Sequence, residues 1–434
     1  MLNKFKAIDG FNKNIIIVFL SSSLLNFINL LYQLLIAHRL SLADFAAFNS
    51  LLSIYMVISM PLASLQTAIA KYSAEFNARG ETEKIKFLLS GILKKSLSLA
   101  ALTFIIFCLA SIFIVDKLQI NSRPSGYLLA VLLALAWIMP VFSGAVQGLE
   151  FFKWMSVSSV VSGILKLSLT FILIVGYGYG ITGALGAFLA AVLAGMFISY
   201  LPLKGFVSLR KIHEDINYKE ILLYLFPVAI SLLCFMSLVN FDMVLVKYFF
   251  LPQEAGLYSL AQMVGKIILF LPGAISIVMF PRTSGLNARN LDTRSTLKRS
   301  LFYTCILCLI AAFIYNIFPS LVLKALTGKV YLESVILGRL FSLSMSFFAL
   351  LLILITYFLS LKDLRFIKYL GLFTLLQALA IILFHRTLIQ VQSILCINAA
   401  ILFIIHLTLA YKKQGQAPSA PPKAGQGDSP RLLI

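Results

Sequence analysis

The sequence predicts an all-α polytopic membrane protein with twelve transmembrane helices arranged as two six-helix lobes. Three observations carry this reading. The chain of 434 residues is 60% hydrophobic and only 12% charged, whereas soluble domains carry roughly a quarter of charged residues. Its mean hydropathy is +0.97. The apolar residues gather into runs long enough to cross a hydrocarbon layer about 30 Å thick, each bounded by charge, Pro or Gly. Six such runs precede the polar stretch KGFVSLRKIHEDINYKEI at 204–221, and six follow it.

The spans follow in order. After a basic N-terminal segment, 1–14, the first span covers 15–38; it is too long for the apolar core of a signal peptide, and no small-residue cleavage site follows it. The second, 45–70, opens after Asp44 and closes at Lys71. The third, 87–115, lies between Lys86 and Asp116, and the fourth, 126–147, follows Arg123 and Pro124. The fifth, 154–176, runs from Lys153 into a Gly-rich turn, and the sixth, 181–203, stops at Lys204. The second half repeats the pattern with 222–249, 256–281, 300–323, 334–360, 366–384 and 388–411. The expected domains are therefore lobes at 15–203 and 222–411, a linker at 204–221, and a disordered tail at 412–434 that is rich in Pro, Gly, Ala and Gln.

A net charge of +20 would fit a nucleic-acid binder, but its placement does not. With the N-terminus in the cytoplasm, the cytoplasmic segments hold 24 of the 36 Lys and Arg residues. The opposite loops hold six, Arg39, Lys117, Arg123, Lys324, Lys329 and Arg386, and the span interiors six more. This is the positive-inside bias, which sets both termini in the cytoplasm and leaves membrane lipids, not nucleic acid, as the partner of the basic surface.

Chemistry on a cofactor or metal finds no support. Each of the five cysteines (Cys108, Cys234, Cys305, Cys308, Cys396) falls in an apolar span. Cys305 and Cys308 have CxxC spacing but no second pair, so they read as core residues. The histidines, His38, His213, His385 and His406, are scattered, and no hydrolase or phosphate-loop motif is present. The sequence predicts a non-enzyme without cofactor or metal.

The halves correspond in detail at one place. ADFAAFNSLLSIYMVISMPLAS, from Ala43, and QEAGLYSLAQMVGKIILFLPGAI, from Gln253, each begin beside an acid and reach a mid-span proline. Two halves with an even number of spans must be parallel repeats, an arrangement that places a transport site between them. Pro61, Pro140, Pro227 and Pro272 each remove a backbone donor within or near the start of a span and are expected to kink it.

Charges inside the spans are the candidate site. Asp242 is the only acid well inside a span, and a hairpin turning near Gln253 would bring it to the depth of Lys266. The pair is expected to face each other or to share one wet cavity, as a structural ion pair or as an ion-coupling group with a releasable lysine. Tyr32 and Tyr55 stand at the matching depth in the first half. Lys247 is expected to snorkel to the nearby surface. Lys166 lies near the middle of span five with no acid in the spans of its half; such an ammonium must meet water, carbonyls or an anion. Lys94, Lys95 and Arg339 complete a net-positive set that suits a phosphate-bearing cargo better than a cationic one.

The run PVFSGAVQGLEFFKWMSVSSVVSGILKLSLTFILIVGYGYGITGALGAF, from Pro140, resembles polysaccharide-biosynthesis proteins of the multidrug/oligosaccharidyl-lipid/polysaccharide exporter superfamily. So does NFDMVLVKYFFLPQEAGLYSLAQMVGKIILFLPGAISIVMFPRTS, from Asn240, with Asp242, the EAGLYS turn and the ending at Arg282. The resemblance implies a MATE-like fold and a Wzx-type flippase of the bacterial inner membrane. Such a protein moves undecaprenyl-diphosphate-linked oligosaccharide units for O-antigen, lipopolysaccharide, capsule or exopolysaccharide, with H+ or Na+ as coupling ion and other polysaccharide-assembly proteins as neighbours. Lipid II flippases usually carry two further helices. Multidrug exporters typically have an acid in the first span, where Asn26, Asn29 and Gln33 stand here. A multidrug or small-metabolite exporter on the same fold, and a membrane polymerase or ligase, are the alternatives; short outer loops weigh against the last.

Overall fold

The computed structural model describes residues 2–206, 218–289 and 291–413, with side chains over 17–206, 225–289 and 291–412. Most of the expected linker, His213 and nearly all of the expected tail lie outside the described residues. Among the described residues, twelve helices are long and apolar enough to cross a membrane and no strand occurs. The first half comprises α1 (Leu2–Arg39), α2 (Leu42–Ala78), α3 (Thr82–Lys117), α4 (Arg123–Gly148), α5 (Phe152–Thr170) and α6 (Gly180–Tyr200). The second comprises α7 (Tyr218–Phe249), α8 (Pro252–Phe270), α9 (Gly273–Ala288), α10 (Arg294–Ile317), α11 (Pro319–Thr327), α12 (Leu332–Ser360), α13 (Phe366–Leu383) and α14 (Leu388–Lys413).

Local chemistry fixes the helix ends. The Ser41 hydroxyl accepts from the Asp44 amide at 3.1 Å and donates to its carboxylate, capping α2. At the corresponding start of α8, Glu254 accepts from the Leu251 amide at 3.0 Å behind Pro252. The two acids aligned in the sequence thus both stand in the first turn of a helix, where negative charge is favoured, although the accepting group is Ser41 at α2 and Glu254 itself at α8.

Two spans differ from expectation. The eighth divides at Leu271–Pro272 into α8 and α9, because Pro272 offers no amide to the ladder and sits as the cap of the second piece. The ninth stops at Ile317 instead of reaching residue 323, because Pro319 starts the separate α11, which closes on left-handed Gly328 at φ 68°. Helices continue through Pro61, Pro140 and Pro227. Pro61 and Pro272 therefore differ in effect despite their matching positions.

The parallel repeat appears in the packing. In the first half α1 packs on α5, α2 on α4, α3 on α4, α4 on α6, and α5 on α6. In the second, α7 packs on α13, α8 on α12, α10 on α12, α12 on α14, and α13 on α14. These are the same pairs shifted by six spans.

Between the halves, α2 runs along α7 and also packs on α8, whereas α1 and α8 do not run along one another. The seam is tight at the face opposite the termini. There α2 is buried from Phe45 to Ser53, and Asn49 donates to the Ser259 hydroxyl at 2.9 Å. Gly256 lies against the Leu42 backbone so closely that a Cβ would stand 2.6 Å from its carbonyl oxygen. From Ile54 to Ala63 the same helix is only half-buried, so the seam loosens toward the middle. Large apolar side chains such as Phe19, Leu109, Ile277 and Phe313 remain exposed around the perimeter, as lipid-facing positions require.

Two outcomes check this closure. Cysteines at positions 49 and 259, with the native ones removed, are expected to cross-link readily in the membrane; failure to cross-link would contradict the closed seam. Gly256→Val should force the Leu42 contact apart and sharply reduce that cross-link.

Candidate functional site

Lys166 owes its place to a close approach of α1 and α5. Gly163, one turn before it, lies against Leu25 and Ile28; a Cβ there would stand 2.9 Å from Leu25. Small residues let helices meet without a solvent-driven force, and the Ser21–Ser156 hydrogen bond at 3.0 Å joins the same seam. The Lys166 ammonium then donates to Asn29 Oδ1 at 2.5 Å. It also stands 4.5 Å from the ring centre of Tyr32 and 5.5 Å from that of Phe188. Tyr32 donates in turn to the Ala184 carbonyl at 3.1 Å, and Tyr55 meets the Phe188 ring edge-on at 5.2 Å.

Magnitudes show why no acid is needed. A lysine at a span centre costs about 2.5–3.5 kcal/mol on insertion scales. One hydrogen bond from a charged group returns about 1.5–3 kcal/mol, and a desolvated ammonium over an aromatic face about 2 kcal/mol. Lys166 can therefore remain charged on neutral partners. Asn29 is the partner that charge-matching alone misses; its position one turn before Tyr32 on α1 is the signal that could have found it.

The second site centres on Asp242 of α7, which is fully buried. Its Oδ2 accepts from Tyr258 at 2.7 Å and from Gln262 at 3.0 Å, both on α8. Tyr258 and Gln392 are joined at 3.2 Å, and Gln392 donates to Ser344 at 2.7 Å, so the network reaches α14 and α12. The Asp242 Oδ1 is buried without a hydrogen-bond partner. Lys266, one turn beyond Gln262, is half-buried and within electrostatic reach of Asp242, but no ion pair within 4.0 Å joins them. The expected direct pair gives way because the loop between α7 and α8 is only Phe250–Leu251. Gln253 and Glu254 already belong to α8, so the residues level with Asp242 are Tyr258 and Gln262.

One apolar cluster draws on both halves. Tyr32 shares it with Leu260 and Met263, and Met263 precedes Lys266 by one turn. The other predicted residues are not gathered there. Lys94 and Lys95 occupy the exposed face of α3, which continues into Leu97, Leu99 and Leu102. Arg339 lies on an exposed stripe of α12 with Ile336 and Leu343, beside Tyr315.

Lys247 does not snorkel. It is fully buried and donates at 3.5 Å to the carbonyl of Gln119, just past the end of α3. Gln119 is itself left-handed at φ 48°. Lys329, beyond α11, likewise donates to the Leu40 carbonyl at the end of α1; burial lowers its pKa from the ordinary lysine value, and Asp44 offsets part of this. Both lysines reach from the second half to a helix C-terminus of the first, where positive charge is favoured. Packing across the seam, not access to a surface, decides where these side chains go.

Comparison with known proteins follows the same lines. The profile of the family described as "Polysaccharide biosynthesis protein" matches residues 11–287. A multidrug resistance MATE family transporter of the MOP superfamily, in an inward-facing conformation, superimposes with TM-score 0.77 at 14% identity, over 91% of this chain and 96% of that one. An outward-facing conformation of such a transporter gives 0.63 at 14% identity, over 93% and 95%. The lipid II flippase MurJ, inward closed, gives 0.70 at 13% identity, over 92% and 87%. No curated protein sequence is significantly similar to the chain.

Double-mutant cycles on thermal stability in detergent should separate the contacts of Asp242. Tyr258→Phe combined with Asp242→Asn is expected to show a coupling of about 1 kcal/mol or more, and Lys266→Met combined with Asp242→Asn a smaller one. The reverse order would restore the direct ion pair.

Proposed function

Because the chain belongs to the polysaccharide biosynthesis protein family, we propose that it is a flippase for undecaprenyl-diphosphate-linked oligosaccharide units, such as those of O-antigen, capsule or exopolysaccharide, in the bacterial inner membrane. In this reading both termini are cytoplasmic, the tight seam closes the periplasmic face, and the separation of α1 from α8 gives a membrane-anchored cargo sideways access. Lobes 15–203 and 222–411 then rock about that seam.

The observation that carries the proposal is Lys166. It is a charged side chain at mid-span with one of its three ammonium hydrogens bonded to a neutral oxygen. A diphosphate oxygen offers a stronger, charge-assisted acceptor than an amide, so a headgroup can displace or share Asn29 without a folding penalty. Lys266 supplies a second cation from the other half. Asp242, with one carboxylate oxygen buried and unpartnered, is the group we assign to H+ or Na+ coupling. A released Lys266 would then be available to the anionic headgroup. Lys94, Lys95 and Arg339 lie on exposed helix faces, where lipid phosphate is their nearer ligand.

The proposal is tested in reconstituted vesicles by the movement of undecaprenyl-diphosphate-linked saccharide between leaflets. Lys166→Ala and Lys266→Ala are expected to fall to the rate of protein-free vesicles with normal reconstitution, and Lys166→Glu to be at least as poor. Transport by Lys166→Ala at the wild-type rate would remove the headgroup role. Efflux of organic cations by the same vesicles, without saccharide movement, would favour a multidrug exporter.

A further inference from the structure

The fifth span ends in an unusual way. Its last turn, Phe171–Gly176, is π-helical, a feature often found at functional sites, and it unwinds into Gly-Tyr-Gly-Tyr-Gly at 176–180. Gly178 at φ 71° and Gly180 at φ 51° take conformations that side chains strongly disfavour. The result is a parallel pair of rings. Tyr177 and Tyr179 stack at 5.7 Å and 14°, with the residues 67% and 58% exposed.

Tyr179 also lines a shallow, open recess of about 310 Å³, together with Asp44, Asn121, Ser122, Arg123 and Thr182. The Ser122 and Thr182 hydroxyls, both lining it, are 2.7 Å apart. The residues lining the recess carry one formal positive and one formal negative charge, three hydroxyls and one amide. Arg123 and Gly180 also begin helices α4 and α6.

We propose that this recess is a second saccharide subsite, on the face opposite the termini, for a neutral sugar ring of the cargo. A sugar presents donors and acceptors around its edge and an apolar C–H face, which the polar recess and the tyrosine face match respectively. A free phosphate would meet the Asp44 carboxylate, and a simple cation would meet Arg123 and two helix N-termini, so neither fits as well. Tyrosines at a membrane boundary are common as interfacial anchors, but anchoring requires neither the recess nor its charges. The subsite rests on the flippase reading for its purpose, which is to hold the sugar end on the release side. Asp44 also lies within electrostatic reach of Lys247 and Lys329, so a sugar engaging Asp44 acts on the groups that hold the seam shut.

Saturation-transfer NMR on the full chain in nanodiscs, with glucose, galactose, rhamnose and N-acetylglucosamine as probes, tests the subsite. At least one sugar is expected to show transfer. Tyr179→Leu, which preserves an apolar anchor, and Arg123→Ala should each weaken apparent binding roughly tenfold, whereas Tyr179→Phe should retain most of it. Absence of transfer for all four sugars, or equal transfer in Tyr179→Leu, overturns the proposal. Transfer lost in Lys166→Ala but kept in Tyr179→Leu places the sugar in the central site and also overturns it. Loss of saccharide movement in vesicles, with the Tyr179-dependent signal intact, would sink the flippase reading and leave the subsite standing.

Discussion

Each charge or amide carried into an apolar span must be solvated by the protein itself, and this constraint organises the molecule. Lys166 takes an amide oxygen and two aromatic faces. Asp242 takes a phenol and an amide, which are tied in turn to α14 and α12. Lys247 takes a helix-end carbonyl across the seam. None of these three relies on an ion pair within the membrane. By contrast, pairs such as Arg79–Glu75 and Lys86–Glu83 lie at the face bearing the termini, where exposed pairs contribute at most about 1 kcal/mol. Stability and function are thereby separated: embedded charges are held by neutral groups, and neutral groups are easily outcompeted by a charged ligand.

The same economy shapes the seam. Its tight end uses glycine against backbone, a short amide-to-hydroxyl bond, and lysines on helix C-termini. Interhelical hydrogen bonds in membranes average about 0.6 kcal/mol each. A handful of them closes one face and, in the proposed function, leaves a difference that a bound cargo and a coupling ion would overcome. The loosened stretch of α2 from Ile54 to Ala63 and the separation of α1 from α8 then lie on the path that a rocking motion would widen.

Much of this was legible in the sequence. Span number, order and the parallel repeat follow from apolar run length and from the placement of polar stretches, because a bilayer leaves a helix few other solutions. The acids at 44 and 254 occupy the matching first helical turn, although Ser41 supplies the capping oxygen at α2 and Glu254 supplies its own at α8. What escaped was finer. The Asp242–Lys266 pairing assumed a turn centred at Gln253, and Pro252 starting a helix moved the register by about one turn. Lys247 seemed near enough to a surface to reach it, but burial there is set by a partner half that linear distance does not reveal. Asn29 escaped because a search for charged partners overlooks neutral ones. The proline comparison shows a further limit: Pro61 and Pro272 have the same local chemistry, yet only the latter divides its helix.

The claim on which the account stands is that the Lys166 ammonium is a diphosphate receptor between the halves. Calorimetric titration of the purified chain with farnesyl diphosphate, comparing the wild type with Lys166→Met, addresses it directly, since methionine keeps the length and removes the charge. The account predicts affinity at least roughly tenfold weaker in Lys166→Met, with farnesol failing to compete. Equal affinity in the two proteins would contradict it.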